Sequence, residues 1–299
     1  MLSPIRLMLL VPFYANAAFL ERTLGSVMGQ DDPDWQAIVV DDSPEGDEAA
    51  HVVARIADPR ISYSRNEGNL GVAGSFNRCI ELARERGVEV CAIVHADDEL
   101  EPRYVRRVKQ VHSEWPDAAC VAPKVTVING AGEPTRTVAD AVKALMWPHR
   151  APALVGEAGL QRLLRGQFFY CPAVSYRLSA LPELVWNPRW HQVMDLELYG
   201  RLLLRGHSIR LEDERLYRYR RHAGTTTEAN SSSMLRSEEE TAVCRELAAD
   251  AKAVGWPKAA RAGRVRVAVR GQALLRACSL LARRRWAEAR RAFGFALAP

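Results

Sequence analysis

Over its first 120 residues the chain alternates short strand-like runs with segments of helical spacing, and this alternation leaves few folds open. The runs are Ile5 to Val11, Ala37 to Val40, Ile61 to Ser64 and Val90 to Val94. Most of them lack the apolar/polar alternation of a half-exposed strand, as expected of strands covered on both faces. Phe19 to Met28, His51 to Ile56 and the set Phe76, Ile80 and Ala83 have helical spacing between the runs, and Pro102 opens a further helix carrying Val105, Val108 and Val111. The order predicts an α/β fold with a mainly parallel sheet and helices on both faces. Pro12 to Asn16 is expected to be a loop. The 299 residues suffice for one large α/β domain with an appendage.

In open α/β sheets ligands bind outside the carboxyl ends of the strands. The acids of this chain gather there. The second run ends in Asp41-Asp42-Ser43, and the fourth continues into His95-Ala96-Asp97-Asp98-Glu99. Adjacent carboxylates at such a place suit a hard divalent cation that shares its shell with phosphate oxygens. A solvated turn leading into a helix accounts for the same acids. The third strand is followed by Asn66-Glu67-Gly68-Asn69-Leu70-Gly71-Val72-Ala73-Gly74. These glycines have the wrong spacing for a dinucleotide fingerprint and follow the wrong strand. A loop that brings backbone close to a nucleotide fits them better.

Beyond residue 120 the pattern weakens. Val121 to Ile128 reads as strand, Gly132 to Arg150 is poorly determined, Gly156 to Arg165 suggests a helix, and Gln167 to Arg177 reads as loop then strand. A helix from Met194 to Leu204 is closed by Gly206. His207 to Leu211 and the alternating run Leu216 to His222 read as two further strands. A Ser-rich linker from Asn230 leads into a helical C-terminal region, so the expected division is 1–230 and 231–299.

Six separated cysteines, none in a Cys-x-x-Cys pair, argue against a zinc site and fit a reducing compartment. No stretch approaches the roughly 20 apolar residues of a bilayer span, and Pro12 ends the N-terminal apolar run before it reaches signal-peptide length. A cytoplasmic protein is expected. The net charge of +5 is unevenly placed, because after Arg261 many arginines face a single acid, Glu288. Such a tail suits contact with the inner face of an acidic membrane, and a solvated basic helix explains it equally. Its apolar residues do not fall on one clean face in the sequence. No nucleic-acid partner is expected.

Five stretches, in order from Ile5 to Thr227, carry a resemblance: VPFYANAAFLERTLGSVMGQ, IVVDDSPEG, NEGNLGVAGSFNRCIELA, HADDELEP, and MDLELYGRLL followed by YRYRRHAGTTT. Together they resemble the family 2 glycosyltransferases, whose catalytic domain has the GT-A fold. The resemblance implies a nucleoside diphosphate sugar donor, a UDP-sugar first, together with Mg2+ or Mn2+. It also implies inverting transfer to a hydroxyl acceptor, which is a saccharide, a lipid-linked or a small-molecule acceptor, as in polysaccharide biosynthesis. On this resemblance Pro12 and Tyr14 line the base pocket, Asp41 receives base or ribose, and Arg65, Asn69 and Gly71 lie over the nucleotide. Asp97 binds donor and metal, Asp98 is the second metal ligand, and His222 lies near the diphosphate or metal. Asp195 matches the general base that an acceptor hydroxyl needs at neutral pH. Trp190 and His191 lie where an acceptor would bind. The chain departs from the family pattern at His95, where many relatives have Asp, and at Met194, where Glu is common. These departures keep open a non-catalytic nucleotide-sugar-binding protein of the same fold. A sugar-1-phosphate nucleotidyltransferase would want a Gly-rich triphosphate loop, which VPFYANAAF lacks.

Overall fold

The structure, a computed structural model, describes residues 5–148, 152–222 and 235–297. Strand β1 (Leu7–Phe13) lies at the centre of a parallel block with β2 (Gln36–Asp41), β3 (Ile61–Arg65) and β4 (Val90–Ile93), in the order β3-β2-β1-β4. Met8, Leu9, Leu10 and Val11 are fully buried, which is why this run shows no alternation. The helices between these strands are α1 (Ala17–Met28), α2 (Glu48–Ile56) and α3 (Gly71–Glu85). Asn16, in the left-handed region at φ 74°, opens α1 by accepting the Phe19 N–H at 3.2 Å. The register sets Phe13 against Asp41 and Asp41 against Arg65, while Leu10 faces Ile93. The carboxyl ends of the four strands therefore share one edge.

Two expectations are corrected here. Pro12 and Phe13 belong to β1 rather than to a loop. β4 pairs with β1 only as far as Leu10, so no ladder bond on that side is asked of the proline. The glycine-rich stretch is shorter as a loop than expected, because α3 already begins at Gly71, whose φ of +68° only glycine adopts without strain.

The sheet continues with β5 (Glu99–Leu100), helix α4 (Tyr104–Glu114) and β6 (Ala118–Ile128). Then come α5 (Val138–Met146), β7 (Ala153–Leu154), α6 (Gly156–Arg165), β8 (Ser175–Arg177), α7 (Met194–Leu204) and β9 (Ser208–Arg220). Its full path is β3-β2-β1-β4-β8-β6-β9-β5, with β8 antiparallel to both neighbours and β6 parallel to β9. The two strands expected from His207 to His222 are one strand. Its register against β6 slips at Pro123/Lys124 and Lys124/Val125, which absorbs the acidic Glu212-Asp213-Glu214 as an irregularity within the ladder. Helix α5 fills part of the segment that sequence left undetermined. Thr137 and Asp140 form its capping box.

The chain divides into two compact units. The first holds residues 1–153, 168–189 and 207–225, and the second 154–167, 190–206 and 226–299. The C-terminal helices thus share a unit with α6 and α7. They are α8 (Leu235–Ala253), α9 (Pro257–Val265), α10 (Val267–Ala282) and α11 (Trp286–Leu297). Gly263 lets α9 approach α8 closely, since a Cβ there would lie 2.5 Å from the Cys244 carbonyl. In α10 the buried residues Val269, Ala273, Ala277 and Leu280 form one face, and Val267, Leu274, Leu275 and Cys278 are exposed at i, i+7, i+8 and i+11. A clean outward apolar stripe does exist, contrary to the expectation from sequence. No helix among the described residues is long and apolar enough to cross a membrane.

Candidate active site

The shared strand edge collects four loops. After β2, Asp41 is almost wholly buried. It accepts the Ser43 N–H at 2.9 Å and the Ser43 hydroxyl at 2.6 Å on Oδ1, and the Tyr63 hydroxyl at 2.7 Å on Oδ2. Arg65 Nη1 stands 3.7 Å from Oδ2, and the Arg65 guanidinium also donates to the Gly46 and Ser43 carbonyls. Burial, and then the Asp41 carboxylate, push the Tyr63 hydroxyl's pKa up. Asp42 ties the next loop down, its Oδ1 accepting from Asn66 Nδ2 at 2.8 Å and from the Leu70 N–H at 2.9 Å. Asn69 accepts the Gly71 N–H at 2.8 Å. Pro12 lies one residue before Phe13. Phe13 and Tyr14 line a cleft of about 270 Å³ with Ser43, Pro44, Glu45 and Glu48, and Tyr14 is 58% exposed. An exposed ring beside a held carboxylate can take a nucleobase by stacking.

The loop after β4 carries the acids. Asp98 points inward and is buried. It accepts the Arg220 backbone N–H at 2.6 Å on Oδ1 and the Tyr217 hydroxyl at 2.8 Å on Oδ2. Burial, and then the neighbouring Asp97 charge, raise its pKa well above the ordinary carboxylate range, against the pull of those donors. Its backbone carbonyl receives the Thr23 hydroxyl at 2.7 Å. Arg220, itself fully buried, donates to the Asp97 carbonyl at 2.6 Å, to Asn129 and Gly130, and to the Glu99 carboxylate. The turn is thus clamped from below, and Asp97 is left on its outer side. There His222 Nε2 meets Asp97 Oδ2 at 2.9 Å, and the Phe19 ring packs 4.8 Å from the His222 ring.

His95 stands beside this pair. Its Nε2 is buried without a hydrogen-bond partner, and burial lowers its pKa, so the ring is held neutral. His95, Asp97 and Asp98 present ligand atoms that all lie within 4.8 Å of one another. A neutral imidazole beside two carboxylates is a donor set that fits a divalent cation.

In the second unit Asp195 sits in the first turn of α7. Its Oδ2 accepts from Gln167 Nε2 at 2.6 Å and its Oδ1 from the Leu196 N–H at 2.9 Å. It is not the helix cap, which is Val193. Glu197 is engaged by Arg201 at 2.8 Å. His191 is tied by its backbone and ring to Glu239, at 3.1 and 3.0 Å. Trp190 is buried and presents no face for stacking. Trp186 is likewise buried, edge-on to Phe76 and Tyr176. Of the motif that ends in His222, the residues Ala223, Gly224 and Thr225 to Thr227 lie outside the described residues.

Sequence reasoning missed Gln167, Tyr217 and Arg220. Arg220 is one of three arginines in the run that ends at His222, and alternation alone does not choose between them. A basic residue two positions before His222 was the available signal, but its burial beneath the acidic turn is set by strand pairing.

The Glycosyl transferase family 2 profile matches residues 8–177, more than half of the chain. The chain belongs to glycosyl transferase family 2. Among curated proteins, an uncharacterized Mycobacterium tuberculosis protein is 27% identical over 65% of this chain and 61% of its own length. An Escherichia coli protein named for colanic acid biosynthesis glycosyl transfer, WcaA, is 32% identical over 31% of this chain and 32% of its own. An uncharacterized glycosyltransferase of Methanocaldococcus jannaschii is 30% identical over 30% of each. The chain therefore spans less than two thirds of each of these relatives. S. aureus TarS, solved with UDP-GlcNAc, superposes with a TM-score of 0.62 at 18% identity, over 82% of this chain and 66% of that one. The same protein solved with UDP gives 0.59 at 17% identity, over 82% and 65%. The likeness establishes the GT-A type fold of this family 2 chain.

Proposed function

We propose that this protein transfers one sugar from a nucleoside diphosphate donor, a UDP-sugar, to a hydroxyl acceptor with inversion at the anomeric carbon. One observation carries the reading: the exposed Tyr14 cleft, the held Asp41 and the Asp97–His222 pair all belong to loops at the carboxyl edge of the sheet. The family and the UDP-bound neighbours support it. Tyr14 and Pro12 flank the base, Asp41 receives base or ribose, and Arg65, Asn69 and Gly71 cover the nucleotide. Asp97, with His95, Asp98 and His222 around it, would hold the divalent ion. When bound, that ion offsets the charge that builds on the leaving diphosphate. Tyr217 and Arg220 position the turn. The Asp195 carboxylate takes the acceptor's proton, and Gln167 orients it. This work falls to residues 1–230, and 231–299 add a basic helical region. Trp190 and His191, just ahead of the base helix, border the acceptor.

We further propose that the basic region rests on the acidic cytoplasmic face of a membrane. The outward stripe of α10 and the exposed Trp286 of α11 lie among arginines with one acid, the pairing that an anionic interface accepts.

The first test is thermal stabilisation by UDP, with and without Mn2+, in the native chain and in Asp97→Ala. At about 100 times its dissociation constant a ligand adds roughly 2.7 kcal/mol. A Mn2+-dependent shift that the variant loses is expected. No shift with any nucleoside diphosphate would sink the reading.

A further inference from the structure

Within the second unit the C-terminal region meets the helix that carries Asp195. Helix α8 packs closely on α7, since a Cβ at Gly200 would lie 2.4 Å from the buried Leu247 side chain. From the first turns of α8, Glu239 reaches the loop just ahead of α7. Its carboxylate is buried. It accepts the His191 N–H at 3.1 Å on each oxygen, the Gln192 N–H at 2.8 Å, and the His191 ring Nδ1 at 3.0 Å. The loop is sorted around this anchor. Trp190, Val193 and Met194 are buried on either side, while the His191 side chain is 69% exposed.

The backbone bonds alone pin the loop, and a contact to so exposed a ring adds little stability. What the ring contact sets is orientation. A carboxylate only accepts, so the proton of the neutral ring lies on Nδ1 and the lone pair on Nε2. Among the described residues nothing else bonds the ring. A buried carboxylate that fixes the tautomer of an outward histidine holds an imidazole ready for a hydroxyl. His191 stands four residues before Asp195, so their Cα atoms lie at most about 14 Å apart. A short saccharide can touch both.

We propose that Glu239 is a positioning residue for the acceptor side: it turns His191 so that Nε2 accepts a hydrogen bond from a second hydroxyl of the acceptor. The acceptor is then a polyhydroxy compound, a saccharide or polyol, and the region beyond residue 230 supplies part of its site. The acceptor role rests on the sugar-transfer reading with Asp195 as base; the Glu239–His191 pair does not.

The test measures how UDP release divides between transfer and hydrolysis, since water is an acceptor with no second hydroxyl. The full chain receives Mn2+, a donor (UDP-glucose, UDP-galactose or UDP-N-acetylglucosamine) and an acceptor (methyl glucoside, methyl galactoside or methyl mannoside). His191→Asn keeps a donor at the place of Nδ1 and removes Nε2, whereas His191→Gln keeps a polar atom at the reach of Nε2. The ratio of transfer to hydrolysis should fall about tenfold in His191→Asn, the worth of one hydrogen bond, and much less in His191→Gln. Glu239→Gln should lower it as far in the native chain and hardly further in His191→Asn, because Glu239 acts through the ring. Long-range 1H–15N NMR should find Nδ1 protonated in the neutral His191 ring of the native chain. A mere loop tie predicts the reverse order, with His191→Asn silent and His191→Gln impaired. That order, an equal cost of Glu239→Gln in both backgrounds, or a proton on Nε2 instead would overturn the proposal. So would hydrolysis without transfer to any of the glycosides, since hydroxyl groups would then not be what the site takes. Release of UDP from none of the donors marks failure of the sugar-transfer reading itself, and the acceptor role falls with it.

Discussion

At the scale of residues, the proposed general base can be tested against its neighbour on the same helix. Asp195 keeps two hydrogen bonds, from Gln167 and from the Leu196 N–H, whereas Glu197 two residues on is engaged by Arg201. Asp195→Asn should therefore lower kcat by about 10²–10⁴-fold, the usual range for loss of a general base, and leave the UDP–Mn2+ thermal shift intact. Gln167→Ala should lower kcat less and leave the KM for donor unchanged, because it acts through Asp195. Steady-state transfer assays separate the two, and full activity in Asp195→Asn would place the base elsewhere. The place of Asp195 in the first turn of a helix was legible from sequence. Gln167 was not, because it is 28 residues away and reaches Asp195 only through the packing of α6 and α7. Asp97 and Asp98 were legible as a pair, but their different fates were not. Asp98 turns under the strand edge because Tyr217 and the Arg220 N–H wait there, and that depends on β9 pairing with β5, a contact across more than a hundred residues.

At the scale of elements, the parallel block was readable because buried strands are short apolar runs separated by helices. The second half of the sheet was not. β8 is only three residues long, and β9 carries charged residues through a broken register, so neither shows a clean period. One consequence of β8 can be measured. Its Ser175 hydroxyl is 3.0 Å from Nε2 of His112 on α4, and His112 Nδ1 is buried without a partner. Burial, with a smaller push from Arg177, lowers the His112 pKa to about 3. The unfolded chain takes up this proton below about pH 6.5, whereas the folded chain refuses it until about pH 3. Folding stability contributed by the neutral ring is therefore complete above pH 6.5 and declines as the pH falls. At pH 5 the loss is about 2 kcal/mol. Urea midpoints from pH 7.5 to pH 5 should fall steeply in the native chain and more gently in His112→Gln, whatever the variant's stability at neutral pH. Equal slopes would show that the ring is not held neutral by its site.

At the scale of the whole molecule, the charge of +5 is the small remainder of an acidic first two hundred residues and a strongly basic end. The arginines alone would be satisfied by water. The two helices that carry many of them also turn Val267, Leu275 and Trp286 outward, each more than half exposed, although α10 and α11 already bury a second apolar face against each other around Ala277, Leu280, Ala289 and Ala292. A surface with basic residues beside an uncovered apolar stripe is stable in water only at some cost, and an anionic interface removes that cost by taking both. Cosedimentation of the full chain with vesicles rich in phosphatidylserine should therefore be strong at low salt, weaken as NaCl rises, and vanish with neutral phosphatidylcholine. Leu275→Glu and Trp286→Glu should each reduce it while leaving the UDP–Mn2+ shift untouched. Binding that persists in both variants but still falls with salt would mean that the arginines act alone and the stripe faces something else. Binding to neutral vesicles as strong as to acidic ones would remove the electrostatic part of the argument.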